Sequence, residues 1–254
     1  MNRLKPTTRE ELSELVHEGI SKKGLKANLN YIDTSLITDM SHLFYSNSFN
    51  GDISQWDVSN VEDMSGMFAT TSFNGDLSQW NTKNVMFFEY MFQNSNFNQD
   101  IGRWNTTKAK NMNGMFETSK FNQPIGHWDV SNVTDMGSMF SDSLFDQDIG
   151  QWNVSNVEDM YAMFWKSQFN QDISQWDVRN VSTMPHMFKN SLFSGDISLW
   201  NPKIHEKYFI SPPEDQSEGN SPSLSFLQYQ TQCTQKRLTQ KYNQEPTSKI
   251  TNAL

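Results

Sequence analysis

Asp52, Asp76, Asp100, Asp148, Asp172 and Asp196 fall on one 24-residue ruler, with Pro124 standing at the remaining mark. A row of carboxylates at fixed spacing is what a calcium ladder would need, since a hard cation wants several oxygens converging at about 2.3–2.6 Å. The same residues also suit a local task, accepting backbone N–H bonds inside a turn. Proline takes one place without disturbing the period, which favours the local task. A second column mixes acid and amide freely: Asp57, Asn81, Asn105, Asp129, Asn153, Asp177 and Asn201. What those types share is an acceptor oxygen, not a charge. A third column, Asn50, Asn74, Asn98, Asn122 and Asn170, is placed to hydrogen-bond along a stack.

Nucleophile chemistry finds no such order. His17, His42, His127, His186 and His205 share no column and no ligand spacing, and Cys233 stands alone. A catalytic set needs a nucleophile, a base and an orienting group converging, and a thiolate metal centre or disulfide framework needs more than one cysteine. The sequence therefore predicts a protein that is not an enzyme, with no cofactor, no metal and no catalytic residue.

The ruler itself is the main message. Trp56, Trp80, Trp104, Trp128, Trp152, Trp176 and Trp200 keep the period without insertion, as do the phenylalanines from Phe49 to Phe193 and the pairs from Met67-Phe68 to Met187-Phe188. A fixed period of this length marks one supersecondary unit copied along an axis, each copy burying its apolar face on its neighbours. A row of exposed indoles would offer a sugar-stacking platform, but every unit offers the same hole to fill, so the column reads as core together with Met67 and Phe68. Within a unit, Trp56 and Val58 alternate around Asp57 as in a short strand. Val61, Met64, Met67 and Phe68 then fall on one face of about two helical turns, with Asn60 as N-cap and Asp63 in the first turn. The predicted fold class is an α/β repeat, a solenoid of about seven 24-residue coils, each a short parallel strand plus a helical turn. At roughly 4.8 Å per stacked strand, the rod is on the order of 35 Å long.

Three segments follow. Residues 1–32 read as an N-terminal helical cap: a Thr8-x-x-Glu11 capping box precedes Leu12, Leu15 and Val16, and Gly19 or Gly24 ends the helix. Residues 33–201 hold the repeats. Residues 202–254, interrupted by Pro202, Pro212, Pro213, Pro222 and Pro246, read as a low-complexity, mostly disordered tail, in which Tyr208-Phe209-Ile210 offers a partial cap.

Charge narrows the partners. The repeats carry 8 Lys+Arg against 20 Asp+Glu, in a chain of net −9 and mean hydropathy −0.70. Backbone neutralisation of nucleic acid needs the opposite sign, as does docking on anionic lipid. The N-terminus MNRLKPTTREEL has no apolar h-region and no stretch is long enough to span a bilayer. The expectation is a monomer without membrane insertion, either cytoplasmic or exported by a leaderless route.

The phrases DISQWDVSNVEDMSGMF and FNQDIGQWNVSNVEDMYAMF, together with KPTTREELSELV and IDTSLITDMSHLF, resemble the repeats of BspA-type leucine-rich repeat proteins, a group that includes a repeat of unknown function from mycoplasma lipoproteins. The likeness spans about residues 5–201. It implies a right-handed, leucine-rich-repeat-like solenoid, frequent on bacterial surfaces and associated with adhesion or partner binding, with no catalytic residues to carry over.

Departures from the repeated phrase are the candidate binding residues. Phe87 stands in a column of Asp and Asn, Tyr90 in one of small residues, Trp165 and Tyr45 in one of Ala, Gln, Glu and Ser, and Tyr161 in another small-residue column. The period marks these positions as solvent-facing, and exposed aromatics are the material of binding hot spots. The function expected is a non-catalytic scaffold for protein–protein interaction, a basic protein matching its acidic field best. The alternatives are an adhesin stacking a glycan or glycoprotein on Trp165, Tyr161 or Tyr90, and a truncated array without a function of its own.

Overall fold

The computed structural model describes residues 4–200. The expectations for the tail over 202–254 lie outside these residues.

The chain enters through one helix, α1 (Arg9–Lys23). Thr8 caps it, its Oγ1 accepting the Glu11 N–H at 3.2 Å. Glu11 reaches back one residue further than a capping box requires and accepts the N–H and hydroxyl of Thr7 at 2.7 and 3.0 Å. Those bonds, the backbone one foremost, hold its carboxyl below the usual range. Acids in the first turn and Lys22 and Lys23 in the last suit the helix dipole. Of the two glycines considered as terminators it is Gly24 that ends the helix, at φ 81°, its N–H donating to the Ile20 carbonyl at 2.7 Å. Gly19 lies inside, on the face buried with Leu12 and Val16. A Cβ there would sit 2.6 Å from Leu29 and 2.7 Å from the Tyr31 hydroxyl, so its missing side chain lets the helix approach the repeats. The Arg9 Nε donates to the Ser41 carbonyl at 2.7 Å, a further tie to the first unit.

Beyond α1 the described residues form no extended strand and no second helix. Single parallel bridges link Asp39 to Asp63, Asp63 to Phe87, Phe87 to Asn111, Asn111 to Asp135, Asp135 to Asp159 and Asp159 to Thr183. Each unit thus lies in parallel register on the next, 24 residues on. The expected strand at Trp56–Val58 is instead the link between two β-turns, closed by Trp56 N–H to Ile53 at 3.1 Å and Val61 N–H to Val58 at 3.0 Å.

The expected helical turn is not present either. Over residues 64–70 the N–H groups alternate between two partners. Those of Met64, Gly66, Phe68 and Thr70 donate to the next unit, to the carbonyls of Phe87, Glu89, Met91 and Gln93 at 2.7–3.0 Å. Those of Met67 and Ala69 turn back three residues to Met64 and Gly66, both at 3.1 Å. The result is a rung of consecutive β-turns in which every second donor builds the stack, so that backbone satisfaction and unit-to-unit cohesion come from the same groups. Such a rung needs a positive φ twice per unit, here at Gly66 (60°) and Thr70 (57°). Elsewhere the first of these positions is held by His42, Tyr90, Gly114, Ser138, Ala162 and His186. Asn60 is not an N-cap: its Nδ2 donates to the Ser35 carbonyl of the preceding unit at 2.8 Å, as Asn84, Asn132, Asn156 and Asn180 do one unit or more along.

The core is a set of ring columns. Phe116 stacks on Phe92 and Phe140 at 5.8 Å and touches Phe121 of the second column at 4.1 Å. Trp56, Trp80, Trp104, Trp128, Trp152, Trp176 and Trp200 are all buried, with Met67 and Phe68 beside them. Each indole N–H donates to the carbonyl 27 residues upstream at 3.0–3.3 Å, for example Trp128 to Ile101. A buried indole keeps its polar edge satisfied only if such an acceptor lies in reach, and here the acceptor repeats with the ring.

Candidate docking face

Three of the polar columns are consumed by the backbone. Asp52, Asp76, Asp100, Asp148, Asp172 and Asp196 each accept the N–H two residues on at 2.8–3.0 Å. These bonds lower the carboxyls of Asp52 and Asp172, the N–H of Ser54 and of Ser174 being the largest cause. Asp57, Asn81, Asn105, Asp129, Asn153 and Asp177 do the same at 2.9–3.4 Å. The asparagine column is a ladder between units: Asn50 Oδ1 accepts the Asn74 N–H, Asn74 the Asn98 N–H and Asn98 the Asn122 N–H at 2.8–3.0 Å. Asp146 continues it, taking the Asn170 N–H at 2.8 Å. Among the described residues no three His, Cys, Asp or Glu side chains gather as a cation would require.

The outer side of the turn rungs holds a further column of the same kind. Here Asp39, Asp63, Asn111, Asp135 and Asp159 accept the N–H two residues on at 2.7–2.9 Å. Two units break the column. Phe87 offers no side-chain acceptor to the N–H of Glu89. Where Thr183 stands, Pro185 has no N–H to be satisfied.

The five aromatic candidates all lie on this side. Tyr45, Tyr90 and Tyr161 are 55, 42 and 46 % exposed, while Phe87 and Trp165 are half-buried. They are not one cluster. Tyr45 meets His42 edge-on at 5.8 Å, and Tyr161 meets His186 at 6.0 Å, which makes their columns neighbours. The Tyr90 ring lies across Gly114 of the next unit, where a Cβ would come within 2.4 Å of it. His42 covers Gly66 in the same way, at 2.8 Å. One face of Tyr90 therefore packs on backbone and leaves the other outward. Trp165 already carries a cation, the Lys166 Nζ at 4.2 Å from its ring centroid.

Beside these rings lie the acids of the repeated column, Asp63, Asp135 and Asp159, and one acid outside the phrase, Glu89. Glu89 accepts the Ser65 hydroxyl at 2.8 Å. Burial pushes its carboxyl up, and Asp63 and Asp135 push it further. Asp159 is raised by burial and by Asp135. The Tyr90 hydroxyl is raised by burial, then by Glu117, Asp135 and Glu89. At the far end burial and then Lys189 lower His186. Glu89 is the one acid in the column Ser41, Ser65, Glu89, Asn113, Gly137, Tyr161, Pro185. That departure was the available signal for it.

Glu89 yields a pH prediction. An acid raised in the fold takes its proton at a higher pH than in the unfolded chain, so its contribution to stability grows as pH falls through that raised value and levels off below the ordinary glutamate range. Compared with the native chain, Glu89→Gln is expected to be more stable at neutral pH and to lose that advantage towards pH ~4.3. Urea unfolding of both proteins at neutral and at acid pH measures it. A constant difference across the range would refute the assignment.

Among the described residues no helix is long and apolar enough to cross a membrane. The family described as "Mycoplasma protein of unknown function, DUF285" matches residues 12–120 and 117–209. No curated protein and no solved structure matches.

Proposed function

The chain belongs to that family, tandemly repeated and without known function, and on that premise we propose that it is a non-catalytic scaffold which docks another protein on the outer side of its turn rungs. The observation that carries this reading is the placement of Tyr45, Tyr90 and Tyr161, all exposed and all on neighbouring columns of that one side. Rigid, part-exposed rings held by backbone hydrogen bonds lose little freedom on binding, and rings of this kind anchor protein interfaces. The units in register support a solenoid of the leucine-rich-repeat kind, and the repeated phrase supports the narrower kinship with BspA-type proteins and with it a role in adhesion.

A second reading has an observation of its own. The outward face of Tyr90 and the exposed ring of Tyr161 offer flat surfaces to a pyranose, whereas the Trp165 ring is covered by Lys166. Salt separates the two readings, because docking that uses the acidic field weakens as the Debye length shrinks and ring stacking does not.

The test is capture of binding partners on the immobilised protein at low and high salt, beside a Tyr90→Ala/Trp165→Ala variant. A protein held by the native chain, released by salt and lost at least tenfold in the variant, about 1.4 kcal/mol or more, is expected. A salt-resistant glycan would put the second reading first. A protein partner retained in full by the variant would remove the docking face.

A further inference from the structure

We infer that the open edge of the last described rung is closed by this chain's own residues 201–209, laid on it in the 24-residue register, and not by a second copy or another protein. The docking face plays no part in this closure.

Inner rungs give alternate N–H groups to the carbonyls 23 residues on, as Met160, Ala162, Phe164 and Lys166 do to Thr183, Pro185, Met187 and Lys189 at 2.7–2.9 Å. The following rung has the same four donors, Met184, His186, Phe188 and Asn190, and among the described residues no carbonyl accepts them. Such an edge is a template for pairing. The apolar side chains beneath it are nevertheless covered. Val181, Met184, Met187 and Trp200 are only 2–5 % exposed, although no described residue of a following unit lies on them.

Continuity, family and register choose the occupant. The segment runs on directly from Trp200, whose indole N–H still donates to the Ile173 carbonyl at 3.2 Å. It starts in place and loses no freedom of association. The family match continues past Trp200 to residue 209. Counted in register, Lys207 and Phe209 bring carbonyls to Met184 and His186, and Tyr208 falls in the buried column of Met64 and Met160. Ile210 falls where the inner units take a positive φ, 60° at Gly66 and 50° at Ala162, which a β-branched residue resists. Pro212 has no N–H to pass onward. These two residues end the rung after 209.

A second copy fits the edge poorly. Two such edges would meet donor against donor. Head-to-tail stacking needs the carbonyl edge at the other end, where Arg9 of α1 already holds the Ser41 carbonyl at 2.7 Å.

The test is amide hydrogen exchange of the full chain, read residue by residue by NMR at two protein concentrations tenfold apart. Beside it stand Tyr208→Asp and a control beyond the segment, Tyr229→Asp. Met184 and His186 are expected to exchange at least about tenfold more slowly than Asn190, whose acceptor in register lies past the break, and equally so at both concentrations. Tyr208→Asp removes that difference, and Tyr229→Asp changes it by less than about twofold. Undiminished protection at Met136 and Phe140 shows that the array is still folded; should Tyr208→Asp lose it, Tyr208→Ala is read in its place. Equal exchange at Met184, His186 and Asn190 in the native chain would overturn the inference. So would protection that falls on dilution, which would mean a second copy, and protection that survives both Tyr208 substitutions or is lost in the control.

Discussion

Trp128→Ala is expected to lower the free energy of unfolding by about 3–5 kcal/mol, the range for truncating a fully buried large aromatic. The indole is 4 % exposed. It stacks on Trp104 at 6.4 Å and meets Phe116 at 6.4 Å, so its loss opens a void between units. The Ile101 carbonyl also loses its donor at 3.3 Å. Trp128→Phe fills most of the void and mainly loses that bond, a cost of about 1 kcal/mol. Each unit touches only its neighbours, so damage at the centre of the array is not shared by distant packing. Urea titration of the three proteins measures both effects, and an unchanged midpoint for the alanine variant would refute the packing role.

The register makes the second large prediction, and it runs against chain length. Excising residues 97–120 joins Asn96 to Phe121 and leaves every later residue in its column. That protein is expected to fold cooperatively, with one unit-to-unit interface fewer. Excising only residues 97–108 removes Phe97, Ile101 and Trp104, all buried, but keeps the turn rung that packed on them. The rung then sits over an unfilled core or is extruded as a loop. Buried phenylalanine and tryptophan each contribute about 3–5 kcal/mol, more than a domain of ordinary stability can lose twice. The half-unit deletion is therefore expected to unfold at a lower temperature than the whole-unit deletion, although it removes half as many residues. The reverse order in calorimetry would show that the 24-residue register is not what organises the chain.

What could be read from the sequence, and what could not, follows from how often each interaction repeats. The tryptophan and phenylalanine columns were legible because every unit must fill the same hole with the same ring. Helix α1 was legible because Thr8, the acids after it and Gly24 punctuate it locally. The turn rung was misread for a physical reason. Inward residues Val61, Met64, Met67 and Phe68 recur at three, three and one, and consecutive β-turns give that spacing as readily as a helix does. The distinguishing mark is the positive φ, and glycine shows it only at Gly66 and Gly114, while Tyr90, Ala162 and His186 adopt it unannounced. Stacking supplies the difference: once the neighbouring carbonyl accepts the N–H, the local preference of the residue is overridden. The aromatic half of the docking face stood out as breaks in the phrase. The acids Asp63, Asp135 and Asp159 belong to a regular column and read as turn-builders, and Glu89 is the one acid that departs from it.

Those same breaks carry the functional argument. A repeat that only had to stack would gain nothing from Phe87, Glu89 and Tyr90 together in one unit, or from Tyr161 and Trp165 together in another. The unit keeps its fold while its surface changes from a plain turn to an aromatic and acidic one.

The most direct measurement of the docking claim is photo-crosslinking from two positions of the same array. A benzophenone side chain replaces Tyr161 on the turn face in one protein and Gln175, exposed beside the Asp172 turn, in the other. Each is irradiated with the partner captured by the native chain. The account expects a covalent adduct from position 161 and none from position 175. An adduct from position 175 alone, or from both positions equally, would contradict it.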